Sequence, residues 1–401
     1  MPGVRFVQQV AALRQGLSLQ KKLLLGPGPS NVPARIAEAL NVPMSSHLLP
    51  DFHHHVLDDV KGGLQYLFQT DNALTFVVSG AGSAGMECAF ANVVAEQDRV
   101  LVADAGFWGR RAAEMACRLG PADVRVVSAP TLGEPVSLSA LEEICAKWAR
   151  RRLGRTVVYV CQGESSTGLL QPLQGLGPMC RRHGALLLVD TVASIGAAPF
   201  YADDLEVDCV FAGSQKVLNC PPGLAPISFN DRCVEKMTDE RSGVCRSFYL
   251  DAQLAGRYWN CWDGGAREYH YTPSVGLLYA LRESLRLLAE EGLEGSWARH
   301  SANAGSLCER LAGSLELSTL VARPEWRNPA ITAVNVPHAV DWKAVVEHLL
   351  VHESIEIAPG MGPTLGRVWR IGLMGANSSA DNVDQVVRAL GKALAAESRR
   401  P

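Results

Sequence analysis

The 401-residue sequence has no uninterrupted apolar run of the ~18 residues needed to span a bilayer. It has little excess charge: 38 Lys and Arg against 41 Asp and Glu leave −3, with no electrostatic case for nucleic acid or a membrane surface as partner. It has no close cysteine pair. The eleven cysteines are an odd number, and the nearest two, Cys209 and Cys220, are far apart in sequence. That excludes C-x-x-C redox or zinc pairs and argues against a disulfide framework; most of these thiols read as small buried hydrophobes. Acids are also missing from the N-terminus, where Arg5, Arg14, Lys21, Lys22 and Arg35 all precede Glu38. Such a segment suits a mitochondrial targeting sequence or an arm laid across a partner subunit, so a mitochondrial or cytoplasmic location is expected. The chain ends Ser398-Arg399-Arg400-Pro401, which is not an S-K-L type peroxisomal tail.

From residue 73 short apolar runs alternate with amphipathic ones. Strands are expected at Leu74–Val78, Val100–Ala103, Val124–Val127, Thr156–Cys161, Ala185–Val189, Cys209–Ala212 and Ala225–Phe229. Helices are expected at Met86–Val94, Gly109–Leu119, Leu138–Arg152 and Leu176–His183. This is the pattern of an α/β fold with a mostly parallel seven-stranded sheet covered on both faces. A long helical region from Tyr271 to about Leu315 leads to a smaller α+β region with strands at Ile331–Val336, Ile355–Ala358 and Val368–Ile371 and helices near Trp342–His352 and Ala380–Leu394. The expected division is an N-terminal arm (1–22), a large domain (23–290) and a small C-terminal domain (291–401).

Three stretches carry chemistry. "VVSGAGSAG" (77–85) spells G-x-G-x-x-G with Gly80, Gly82 and Gly85 after an apolar strand. "LLLVDTVASIG" (186–196) ends a strand on Asp190, and "CVFAGSQKVLNCPPG" (209–223) places Gln215 and Lys216 after another. Ligands of open parallel sheets bind at the carboxyl ends of strands. A glycine turn opening a helix can hold any phosphate, so alone it does not separate a dinucleotide from another anion. A nicotinamide oxidoreductase would leave Lys216 and Asp190 without a role. Pyridoxal phosphate needs a lysine for its aldehyde, an acid for its pyridinium nitrogen and an anion cradle for its phosphate. Lys216, Asp190 and Ala81-Gly82-Ser83 supply all three. Trp108 in "DAGFWGRR" could stack on the ring, Ser165 and Ser166 in "CQGESSTG" offer hydroxyls, and Arg370 in "RVWRIGLMG" suits a substrate carboxylate, the alternative being a structural ion pair.

In combination, "GPGPSN", "FQT", "FWG", "GESSTG", "LLVDTVAS", "GSQK", "PPG", "YHYT" and "RIGLMG" resemble the class V, fold-type I pyridoxal phosphate aminotransferases, on the alanine–glyoxylate (serine–pyruvate) branch. The resemblance runs from residue 22 to the last helix. It implies transfer of an amino group from alanine or serine to glyoxylate or pyruvate, and a homodimer with active sites at the interface. It implies that Lys216 bonds the cofactor, Asp190 pairs with the pyridinium and Trp108 stacks. Gly82, Ser83 and Gln215 would hold the phosphate, with Tyr269 and Thr272 from the partner subunit, and Ser165 and Arg370 would bind the substrate carboxylate. The chain departs from the family's "SGSGH" and "YHHT" at Ala81, Ser83 and Tyr271, and drifts at residues 44–59. Those changes bear on the substrate more than on the cofactor. Rival expectations are a 3-hydroxykynurenine donor, a class V lyase or desulfurase, and a non-catalytic binding protein. Desulfurases usually carry histidine before the lysine, where this chain has Gln215. His47 and His53-His54-His55 lack a Cys, Asp or Glu framework for a metal, so a polar helix face with His54 and Asp58 on one side is expected.

Overall fold

The computed structural model describes residues 16–150, 154–239, 245–262 and 265–398. Most of the expected N-terminal arm, the last residues of the expected helix at 138–152 and the Arg399–Pro401 tail lie outside the described residues.

Apolar runs too short for a helix form the strands, and each amphipathic run between them crosses back over a sheet face. In chain order the large sheet and its helices are β1 (Leu74–Ser79), α1 (Gly82–Val93), β2 (Arg99–Asp104), α2 (Phe107–Leu119), β3 (Asp123–Ser128), α3 (Leu138–Ala149), β4 (Thr156–Cys161), α4 (Leu176–Arg182), β5 (Leu186–Asp190), β6 (Cys209–Phe211) and β7 (Leu224–Phe229). The strand order is β1-β7-β6-β5-β4-β2-β3. Only β7 is antiparallel to its neighbours, which leaves the carboxyl ends of the other six on one edge. Every residue of β2, β4 and β5 is buried, as strands covered on both faces must be.

After two short helices, Asp231–Thr238 and Ala252–Tyr258, the long helices α5 (Val275–Glu291) and α6 (Leu293–Leu315) follow; the expected single helical region is broken at Gly292. Beyond them β8 (Ile331–Asn335), α7 (Trp342–His352), β9 (Ala358–Pro359), β10 (Val368–Gly372) and α8 (Ala380–Glu397) build a three-stranded antiparallel sheet, order β8-β10-β9, with helices. The expected strand at 355–358 is divided. Ile355–Glu356 pairs in parallel with Leu23–Leu24, and only Ala358–Pro359 joins the small sheet. One apolar cluster runs from Ile36 to Val321 around the large sheet; a second gathers Leu25 with residues between Leu307 and Ala393. Among the described residues, no helix is long and apolar enough to cross a membrane. His54 and Asp58 do share a face, with Nδ1 and Oδ2 3.4 Å apart.

Two boundary differences matter for the site. Helix α1 begins at Gly82 rather than Met86, and α2 at Phe107 rather than Gly109. Both starts hold small or glycine-flanked residues that read as loop, yet their N–H groups open the helices.

Candidate active site

Five strand ends converge on one cavity lined by Gly82, Ser83, Trp108, Ser165, Asp190, Gln215 and Lys216, with Ala81, Met86, Cys161, Gly163, Val192 and Ala193 completing the wall. Asp190 is the last residue of β5, level with Cys161 of β4 and Phe211 of β6. Its Oδ1 accepts the Val192 N–H at 2.8 Å and its Oδ2 accepts the Tyr159 hydroxyl at 2.9 Å. Burial pushes the carboxyl up to about 7, against the pull of those two hydrogen bonds. A buried acid in that state is a poor solitary anion, and a cationic ring nitrogen would supply the missing partner.

Lys216 is 9 % exposed, and its Nζ donates to Pro27 O. Burial lowers its pKa to about 8; the charge of Arg370 adds to the effect and Asp190 opposes it. The amine therefore has a substantial neutral fraction near physiological pH, as a carbonyl nucleophile requires. The loop holding it is tied to the N-terminal segment: Ser30 Oγ donates to Lys216 O at 2.7 Å and Ser30 N–H to Gln215 O at 2.9 Å.

Helix α1 starts without a side-chain cap. Its first N–H groups, at Gly82 and Ser83, thus face the cavity as an anion cradle. A Cβ on Gly82 would stand 3.2 Å from Val192 Cγ2, so glycine keeps this approach open. Gln215 Oε1 is buried with no hydrogen-bond partner among the described residues. A cradle of N–H groups beside the Gln215 amide, whose NH2 can donate to a phosphate oxygen, a nucleophilic lysine and a buried acid held by neutral donors fit pyridoxal phosphate at both ends of the molecule.

Trp108, in the first turn of α2, donates Nε1–H to Ser165 Oγ at 2.7 Å. Arg370, 7 % exposed in β10, reaches Ser165 from the small sheet: Nη1 donates to Ser165 O at 3.3 Å and Nε to Pro359 O at 2.8 Å. Its remaining donors form no ion pair among the described residues. Glu164 and Glu356 favour its charge through space, without an ion-pair contact among the described residues.

Tyr269 and Thr272 do not line the cavity of their own chain. Tyr269 is 62 % exposed, and both lie against His47, whose Nε2 is 3.3 Å from Thr272 Oγ1. Two groups escaped the sequence. Tyr159 sits in an all-apolar strand and reads as core until its hydroxyl meets Asp190. Glu164 is fully buried and accepts from Trp108 N–H, Ser166 N–H and Ser166 Oγ. Its place between Gly163 and the serines 165 and 166, just past an apolar strand, was the available signal.

Comparison with known proteins agrees with this geometry. The family model for class-V aminotransferases matches residues 31–386. The chain is 43 % identical over 388 residues to the alanine–glyoxylate aminotransferase of Felis catus, covering 97 % of this chain and 91 % of that one. It is 31 % identical over 401 residues to the (S)-ureidoglycine–glyoxylate transaminase of Bacillus subtilis, covering 95 % and 92 %. The crystal structure of the alanine–glyoxylate aminotransferase from Nostoc sp. superimposes with a TM-score of 0.91 at 41 % identity, over 98 % of this chain and all of that one. On these similarities this chain belongs to the class-V aminotransferases.

Proposed function

We propose that the protein transfers the amino group of a small L-amino acid, alanine or serine, to a 2-oxo acid, glyoxylate or pyruvate. Relatives named for alanine, ureidoglycine, glyoxylate and pyruvate support this reading. The observation that carries it is the joint placement of Lys216, Asp190 and the Gly82–Ser83 helix start on one cavity, with Arg370 at its rim.

Class-V aminotransferases use pyridoxal phosphate. Bound there, it supplies an electrophilic aldehyde carbon and a ring that takes up electrons released at the substrate α-carbon. The protein does the rest. Gly82, Ser83 and Gln215 would hold the phosphate. Asp190, oriented by Val192 and Tyr159, would keep the ring nitrogen protonated. Lys216, its pKa lowered by burial, would carry the substrate α-proton on Nζ. Arg370 and Ser165 would bind and orient the donor carboxylate.

The proposal includes a homodimer. Phe248, Met44, Leu48 and Tyr269 are 69 %, 76 %, 58 % and 62 % exposed, apolar or aromatic side chains that a second copy could cover. In a second copy's site, Tyr269 and Thr272 would add hydroxyls at the phosphate.

The test is a half-reaction. The cofactor's visible band should bleach with L-alanine and return with glyoxylate, and Lys216→Ala should bind cofactor but lose turnover. A band indifferent to alanine, serine and glyoxylate would overturn the substrate reading, and sulfide release from cysteine would redirect it to a desulfurase.

A further inference from the structure

The peptide leading into the phosphate-facing turn is held from outside by two tyrosines. Tyr249 Oη donates to Ser79 O at 2.6 Å, and Ser79 N–H donates to Tyr271 Oη at 3.3 Å. The two rings stack, with centroids 4.4 Å apart and planes 28° from parallel. Ser79 Oγ accepts the Ser274 N–H at 3.1 Å. Every polar atom of Ser79 is therefore engaged by residues from the 249–274 region.

The chain continues from Ser79 into Gly80-Ala81-Gly82, three residues with no side chain beyond a Cβ, and Ala81 offers α1 no side-chain cap. Such a turn has little of its own to fix its backbone. An anion cradle is strong only when its N–H groups are aimed before the anion arrives. We propose that Tyr249 and Tyr271 form a clamp that preorganises the phosphate turn and so sets the affinity for the cofactor's phosphate. The proposal rests on the cofactor reading above.

Both are positioning residues, since neither lines the cavity. Tyr271 differs in this from its near neighbours. Tyr269 and Thr272 are exposed, whereas Tyr271 turns inward onto its own chain's turn. The stretch Tyr269–Thr272 thus serves two directions at once. On this reading Tyr271 bears on cofactor retention.

The experiment compares pyridoxal phosphate with pyridoxal, which lacks the phosphate. Cofactor-free wild type, Tyr249→Phe and Tyr271→Phe are titrated with each, by absorbance and by quenching of protein fluorescence. Each variant removes one oxygen and keeps its ring. The expected result is roughly a five- to tenfold loss of affinity for pyridoxal phosphate per variant, with pyridoxal affinity unchanged. Inorganic phosphate should compete less well against pyridoxal phosphate in the variants than in wild type. Equal losses for both compounds, or no loss for either, would overturn the clamp while leaving the cofactor reading intact. A wild type that binds neither compound would overturn both. Should Tyr271→Phe fail to fold, Tyr249→Phe, whose ring is 43 % exposed, decides the matter alone.

Discussion

Trp108 and Ser165 are joined by a 2.7 Å hydrogen bond from the indole Nε1–H to the serine Oγ, which ties together two side chains that line the same cavity. The pair is anchored a second time through the backbone. Glu164 Oε2 accepts the Trp108 N–H at 2.9 Å, and Ser166 Oγ accepts the Phe107 N–H at 2.9 Å. Helix α2 has no side-chain cap of its own, so the segment after β4 supplies one. Burial raises the Glu164 pKa, while hydrogen bonds from Ser166 and Trp108 draw it back.

This coupling separates two roles of Trp108. Trp108→Phe keeps a flat ring and loses the N–H. Its expected effect is a KM for the amino donor raised roughly three- to tenfold, with cofactor affinity within about twofold of wild type. Trp108→Ala should lose about tenfold or more in cofactor affinity as well. Steady-state kinetics beside cofactor titration distinguishes these outcomes. A Phe variant with weakened cofactor binding and unchanged KM would mean that the indole N–H does not reach the substrate side.

The sheet was legible because its strands are short and mostly apolar and its breaks carry glycine or charge; β4 and α7 match their expected spans at both ends. The site was legible where one residue type is scarce in its setting, as a lysine or an acid is at the end of an apolar strand. Contacts from distant sequence were not. Nothing in Leu23–Leu24 announces its pairing with Ile355–Glu356, and that pairing brings Pro27 to Lys216. Tyr159 was hidden because a buried aromatic is ordinarily core, and its function lies in one oxygen. The starts of α1 and α2 fall earlier than expected because glycine at a helix start reads as loop, although a start that binds an anion needs a residue with no side chain in the way.

The buried imidazole of His300, in α6, makes stability depend on pH. Its Nδ1 lies 2.7 Å from Ser296 O, and its Nε2 accepts the Gly375 N–H at 2.9 Å. The ring is therefore neutral and protonated on Nδ1, and a second proton would set two donors face to face. Burial lowers the pKa from 6.5 to about 4. Between those values the unfolded chain binds the proton and the folded chain does not, so stability rises with pH across that window. The contribution is fully present above about pH 6.5, is lost as pH falls toward 4, and is on the order of 3 kcal/mol. Asp190 works in the opposite sense in the cofactor-free protein, because its folded pKa is raised from 3.8 to about 7. The measurement is thus the difference between wild type and His300→Gln in urea midpoint, at about pH 4.5 and about pH 7.5. Wild type should lose more stability on acidification than the variant. Parallel losses would assign the acid sensitivity to other groups.

Gly28 lies over Lys216 with φ at +109°, a region that L side chains rarely adopt. A Cβ there would stand 2.6 Å from Lys216 Cδ and 2.9 Å from its Nζ. The neighbouring Pro27 O accepts the same Nζ, so the turn both covers the lysine and holds its amine. Gly28→Ala must push the lysine aside or lift the turn from the site. Neither change touches Gly82 or Ser83, which face the cavity from α1. The expected variant binds pyridoxal phosphate within a few-fold of wild type but runs the alanine half-reaction roughly a hundredfold slower, since about 1 Å of misplacement at a reacting group can cost that much. Rapid-mixing absorbance with L-alanine gives the rate, and cofactor titration gives the affinity. A Gly28→Ala enzyme with a near-normal half-reaction would show that the lysine finds its working position without the turn, and that the amine's contact with Pro27 does not limit proton transfer.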